Sequence, residues 1–352
     1  MNLDDLAAFQ NLDANHMIAH INALPQQLED AWNTGMTLDL PAMPKPRAVL
    51  LCGMGGSAIA SDVIAGYASN ICPVPLVVHR DYDLPAWAGG PDTLVVAASH
   101  SGNTEETLSA YQQALERGCS TLAVTTGGKL AQMAQAAGAP VWLFKSTSQP
   151  RAAAGLSFGL LMAALHRLDV LPDPSADYQE MLSALRSQQE SLLPEVSAAR
   201  NPAKRMAGQM VGRVMVVFGA DILVPAARRF KGQINENAKA CALFEILPEG
   251  NHNTLAGIMN PDGSLSHLMM LFLTGSANHP RNQMRLDFTR QIYMTQGINT
   301  DTISAAGEGK LAQVWTVMHF GDYTSYYLAM AYGEDPTPVE VLTVMKEALS
   351  SA

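Results

Sequence analysis

The sequence predicts an α/β protein made of two tandem parallel-sheet units, with helices ahead of them. From Arg47 onward, short apolar runs end in Gly, Ser or Asp and give way to helical stretches, the pattern of right-handed βαβ crossovers. A second set starts at Arg213, where Val214-Met215-Val216-Val217-Phe218 runs into Gly219-Ala220-Asp221 and echoes Ala48-Val49-Leu50-Leu51-Cys52 ahead of Gly53. With 352 residues, the chain also exceeds the size at which one core stops growing.

Residues 1–45 carry apolar positions at helical spacing (Leu6, Phe9, Leu12, Met17, Ile21, Leu24) and no strand pattern, so one or two leading helices are expected. A first sheet unit at 46–165 follows, with strands expected at Ala48 to Cys52, Val74 to His79, Thr93 to Ala98, Thr121 to Thr125 and Val141 to Phe144. Residues 166–205 read as a helical connection, polar from Tyr178 to Glu195. The second unit, 206–352, adds strands at Val214 to Phe218, Ala242 to Leu247, Leu268 to Leu273 and Ile298 to Ile303.

Composition narrows the function classes. Hydrophobic residues make up 48% and charged ones 15%, which suits buried parallel strands and argues against disorder. The net charge of -10 comes without basic runs, so a nucleic-acid or anionic-membrane surface is excluded and any anionic ligand must be held locally. Cys52, Cys72, Cys119 and Cys241 are too far apart for a metal pair and read as reduced structural residues. Histidine, too, lacks metal-ligand spacing, so no metal is expected. The acidic start Met-Asn-Leu-Asp-Asp-Leu is not a secretory leader, and no uncharged apolar stretch reaches 18 residues; a soluble cytoplasmic enzyme is expected.

The richest segment is Ala97-Ala98-Ser99-His100-Ser101-Gly102-Asn103-Thr104-Glu105-Glu106-Thr107, a strand running into a hydroxyl-rich turn and an acidic helical turn. Ser99, Ser101 and Thr104 can donate to phosphate oxygens, Gly102 admits close backbone approach, and the helix start adds free amides. The same residues also serve as an ordinary capped turn. Gly53-Met54-Gly55-Gly56-Ser57-Ala58 forms a second loop at a strand's carboxyl end. It fits the loose G-x-G-x-x-A dinucleotide pattern, with Asp81 after the next strand, so a nicotinamide oxidoreductase is a rival reading. Against it, the Ser99 to Thr104 loop suits one compact anion, and two facing loops would make a single sugar-phosphate pocket.

Arg151 follows Gln149-Pro150 at a strand exit, where it neutralises an oxyanion or pairs with a surface carboxylate. Glu236 lies on a helix between Asn235 and Asn237, a setting for an oriented general base, although an exposed Glu beside Lys239 is the plainer account. His252, in the turn Gly250-Asn251-His252-Asn253, is the best acid/base candidate of the nine histidines.

Taken together, Gly-Met-Gly-Gly-Ser at 53–57, Ser99 to Thr107, Gln-Pro-Arg at 149–151, Asn-Glu-Asn-Ala-Lys at 235–239, Asn-His-Asn at 251–253, Gly-Asp-Tyr-Thr-Ser-Tyr at 321–326 and Asp-Pro-Thr-Pro-Val at 335–339 resemble the sugar isomerase (SIS) family. Among its branches the chain is similar to the bifunctional phosphoglucose/phosphomannose isomerases. The resemblance implies two tandem SIS domains of flavodoxin-like form, a phosphosugar substrate, no cofactor and a homodimer. It puts the phosphate loop on Ser99, Ser101 and Thr104, the glycine loop on Gly55, Gly56 and Ser57, the enediolate-stabilising arginine on Arg151 and the base on Glu236. The ring-opening histidine, contributed by the partner subunit in this family, falls on His252, and a substrate-approaching lysine on Lys346. His100 stands where the family usually has Tyr, and the threonine that helps accept both C2 epimers falls on Thr337 or Thr343. A non-catalytic phosphosugar-binding SIS protein and an isomerase turned to a related aldose are the alternatives.

Overall fold

A computed structural model describes residues 2–350. Its elements in order are helices α1 (Leu6–Leu12), α2 (Met17–Asn22) and α3 (Leu24–Thr37), then β1 (Ala48–Cys52), α4 (Gly55–Ala68), β2 (Leu76–His79), β3 (Thr93–Ser99), α5 (Glu105–Glu116), β4 (Ser120–Thr125), α6 (Gly128–Ala136) and β5 (Val141–Leu143). Next come α7 (Ala154–Arg167), α8 (Ser175–Gln189), α9 (Pro202–Met210), β6 (Val214–Ala220), α10 (Val224–Ala238), β7 (Ala242–Leu247) and the single turn α11 (Asp262–Leu265). The chain finishes with β8 (Leu268–Thr274), α12 (Pro280–Thr295), β9 (Asn299–Ser304), α13 (Lys310–Tyr332) and α14 (Glu340–Ser350).

Each expected strand is present. The Val74 to His79 run begins only at Leu76, because Pro73 and Pro75 lack the N–H a ladder needs; the Pro75 carbonyl still accepts from Val49. The leading segment holds three helices. Asp13 ends α1 and turns its carboxylate onto the Met17 and Ile18 amides that open α2, and Pro25 in the first turn of α3 starts a new helix.

The chain divides into two compact units. The five-stranded unit comprises Ala23–Arg186 with Ala306–Thr316. All its strands are parallel in the order β2-β1-β3-β4-β5, the doubly wound flavodoxin-like order whose switch point falls between β1 and β3. Val49, Leu50 and Leu51 on β1 are fully buried, and each such side chain stabilises the unit by roughly 1.5–3 kcal/mol. Phe158 and Trp315 pack edge to face in the same unit.

The four-stranded unit comprises the chain up to Asn22, Ser187–Ala305 and Val317 onward. Its parallel order β7-β6-β8-β9 repeats that of the first four strands of the other sheet. Phe218, Phe272 and Tyr293 centre one core cluster. A second apolar body gathers Phe9, Tyr326 and Tyr327 around the buried Lys204, whose ammonium donates to the Pro194 carbonyl and lies over two of the rings. No helix among the described residues is long and apolar enough to cross a membrane.

Candidate functional site

In the five-stranded unit, the predicted residues of three segments meet at the carboxyl edge of β1 and β3. Ser99 is the last residue of β3 and is buried; its Oγ lies 3.0 Å from the Thr104 hydroxyl and accepts from the Gly102 amide at 3.1 Å. Thr104 is the N-cap of α5, yet its side chain makes no capping bond. It pairs with Ser99 instead, so two hydroxyls sit beside the positive end of a helix whose first amides their cap residue leaves unbonded. Ser101 is exposed and its Oγ accepts from the Asn103 amide.

Glycine contacts fix the loop's shape. Gly102 has φ +67, and a Cβ there would lie 1.8 Å from the Gly127 carbonyl oxygen; a Cβ on Gly128 would lie 2.5 Å from the Ser101 carbonyl oxygen. The Gly127-Gly128 turn after β4 is thus a buttress, reinforced by Asn103 Oδ1 accepting from the Lys129 amide and by Thr126 donating twice to the His100 carbonyl. Sequence reading missed this pair; its signal is a second glycine turn at the end of the strand that neighbours β3. The His100 ring stands edge-on to Phe144, and burial lowers its pKa, which favours the neutral imidazole.

The glycine loop begins at Gly53, where a Cβ would press to 2.8 Å on the Ala98 carbonyl oxygen, placing this loop against the end of β3. Gly55, at φ +52, opens α4, and Ser57 is buried in its first turn. Gly56 abuts the short 3-10 turn Pro150–Ala152: a Cβ on it would lie 2.4 Å from the Pro150 carbonyl oxygen and 3.4 Å from the Arg151 Cα. Arg151, 7% exposed, is therefore held beside the glycine loop. The hydroxyl loop, the glycine loop and one arginine form a setting for an oxyanion at a topological switch point.

In the four-stranded unit, Glu236 lies half-buried in the last turn of α10, and both flanking asparagines are pinned. Asn235 donates to the Ala240 carbonyl at 2.8 Å, and Asn237 donates to Ser325 Oγ at 3.0 Å. Lys239 closes the helix in the left-handed region at φ 52 and donates to the Asp335 carbonyl. His252 is exposed and follows the 3-10 turn Glu249–Asn251. Its neighbours hold the turn: Asn251 donates to Thr289 Oγ1 and accepts from Arg285, while Asn253 donates to Glu249.

Lys346 is exposed on α14, as is Thr343, whereas Thr337 is buried. A buried ion pair between Arg229 and Asp322, with both side chains 4% exposed, was not singled out from sequence; its signal is Arg229, Gln233 and Asn237 recurring every four residues along the helix of Glu236. Among the described residues, no three His, Cys, Asp or Glu side chains gather as a metal site would need.

Comparisons with known proteins point in one direction. The family model for the bacterial phospho-glucose isomerase C-terminal SIS domain matches residues 199–349. A bifunctional phosphoglucose/phosphomannose isomerase of Caldicellulosiruptor bescii is 35% identical over 336 residues, covering 95% of this chain and 99% of the relative. The enzyme of that name from Aquifex aeolicus is 33% identical over 304 residues, 86% of this chain and 90% of its own. Among solved structures, a hypothetical protein of Thermus thermophilus superposes with a TM-score of 0.74 at 16% identity, over 98% of this chain and 94% of that one, a likeness of fold.

Proposed function

The chain belongs to the sugar isomerase (SIS) family, and from that premise we propose that it interconverts glucose 6-phosphate and mannose 6-phosphate with fructose 6-phosphate through a cis-enediol. The observation that carries this reading is the cradle of the five-stranded unit, where the Ser99 and Thr104 hydroxyls lie 3.0 Å apart at the start of α5 and Gly56 abuts the turn of Arg151. The phosphate lies on Ser99, Ser101, Thr104 and the amides of α5, with Gly55, Gly56 and Ser57 along the sugar and Lys346 near it.

His252 of the partner subunit in a homodimer opens the ring, giving a proton to the ring oxygen as one leaves the anomeric hydroxyl. Glu236 takes the C2 proton and returns it to C1 while a proton passes from O2 to O1, and Arg151 balances the oxyanion of the enediolate. Both aldoses give the same enediol, so rotation about C2–C3 lets one base serve both. The steps require no cofactor.

A coupled assay of fructose 6-phosphate formation from each aldose phosphate, with chelator present, tests this. Product from both is expected. Phosphosugar binding with no product would favour the non-catalytic binder, and a saturable fluorescence change on titration with NADH would favour the oxidoreductase.

A further inference from the structure

We propose that Asp322 and Ser325 of α13 are positioning residues for Glu236, acting through a buried polar ladder that fixes the rotation and the register of α10. The proposal rests on Glu236 being the base. Arg229 donates from Nε to Asp322 Oδ1 at 2.9 Å and from Nη2 to Oδ2 at 2.7 Å, a two-pronged pair. One turn on, Gln233 donates to Asp322 Oδ1 at 2.9 Å, and one turn further Asn237 donates to Ser325 Oγ. Ser325 Oγ in turn donates to the Asp322 carbonyl at 2.8 Å, which ties the two rungs together.

All five residues are buried: as whole residues, Arg229 is 6%, Gln233 3%, Asn237 0%, Asp322 3% and Ser325 0% exposed. Gly321 lets the helices close, since a Cβ there would lie 3.0 Å from the Phe230 ring. Two motifs far apart in sequence, Asn-Glu-Asn-Ala-Lys and Gly-Asp-Tyr-Thr-Ser-Tyr, are thereby joined.

An apolar seam between two helices tolerates a slip or a few degrees of roll; this one does not. Moving α10 by a turn would strand a buried guanidinium and a buried carboxylate, each left without the partner that offsets its desolvation. At about 100° per residue, Glu236 lies roughly 60° around the helix from the mean direction of the ladder. That is close enough to follow its orientation and far enough to leave the packed face, in keeping with its half-buried state. The ladder therefore sets where the carboxylate points, and proton transfer is steeply sensitive to such placement: a misplacement of about 1 Å costs about 100-fold in rate.

The test is Ser325→Ala, which removes the Asn237 rung and keeps the ion pair, together with Asp322→Asn. The readouts are kcat and KM on glucose 6-phosphate, and the fraction of deuterium from the 2-deuterated substrate that NMR finds at C1 of the product. Ser325→Ala is expected to lower kcat about 10-fold with KM within about 2-fold, and to lower deuterium retention, because a displaced base exchanges its proton with water before returning it. If Asp322→Asn folds, its kcat falls about 100-fold; if it does not fold, Ser325→Ala decides. A folded Ser325→Ala with wild-type kcat and retention overturns the proposal. Glu236→Gln is assayed in parallel: wild-type turnover there overturns the base itself, whereas an inactive Glu236→Gln beside a wild-type Ser325→Ala overturns the positioning role alone.

Discussion

The junctions β3–α5 and β8–α12 hold the same place in their two sheets, each leaving the strand beside the unit's first strand, yet they treat a helix N-terminus in opposite ways. At α5 the cap residue Thr104 bonds Ser99 and leaves the first amides without a side-chain cap. At α12 the anion is built in: Asp221, at the end of β6, accepts from the His279 amide at 2.8 Å and from the Asn282 side chain at 2.9 Å, and His279 Nδ1 accepts from the Arg281 amide. Even the backbone matches, Asp221 sitting at φ 50 where the glycine loop has Gly55 at φ 52. A repeated fold thus carries one helix start left open at a strand end and one self-capped copy, and the four-stranded unit places its buried polar groups between α10 and α13 instead.

The comparison breaks most sharply at Gly102. Gly102→Ala puts a Cβ 1.8 Å from a carbonyl oxygen at a residue with φ +67, so calorimetry is expected to find phosphosugar affinity lower by more than about 100-fold. Retained affinity would mean that the loop's shape is irrelevant to binding.

Acid separates the units next. His319 is buried, donates from Nε2 to the Ile21 carbonyl, and is pushed by burial from 6.5 down to about 4. Between those values the unfolded chain binds a proton that the folded one refuses, so the unfolded state gains as pH falls. The stability this group confers is complete above pH 6.5, drains away as pH drops and levels off below about pH 4, a loss of about 3 kcal/mol in all. Hydrogen exchange should show the His319 turn of α13 losing protection over that range, and His319→Gln should flatten the slope. An unchanged slope in that variant would assign it elsewhere.

Ser99→Ala comes third. It removes one hydrogen bond to a charged group, about 1.5–3 kcal/mol, so affinity for phosphosugar and for inorganic phosphate should fall roughly 10- to 100-fold alike. A loss confined to the sugar would move the phosphate off this loop. Smallest is Asp221→Asn, expected to lower stability by about 0.3–1 kcal/mol in thermal unfolding with phosphosugar affinity unchanged. A change in affinity would show that the capped copy takes part in binding after all.

Much of this architecture was legible in the sequence, because buried parallel strands read as unbroken apolar runs such as Val49-Leu50-Leu51, and because hydroxyl and glycine residues at a strand end mark the turn into a helix. What escaped is what neighbouring strands and helices bring together across long separations. The Gly127 buttress belongs to the next strand, Asp221 lies 58 residues from the His279 amide it caps, and Asp322 is 93 residues from Arg229. Local pattern shows at most one side of such a pair, as in the four-residue spacing of Arg229, Gln233 and Asn237, and never its partner. Glu236 illustrates the limit: its neighbours suggest an oriented carboxylate, but the bonds that tie its helix to α13 are visible only once α13 is in place.

The most direct test of the central claim is Glu236→Gln, measured for binding and turnover on the same preparation. Glucose 6-phosphate should bind within about threefold of wild type while isomerisation falls at least about 1,000-fold, since the cradle is intact and only the base is lost. Wild-type-like turnover by that variant would contradict the account.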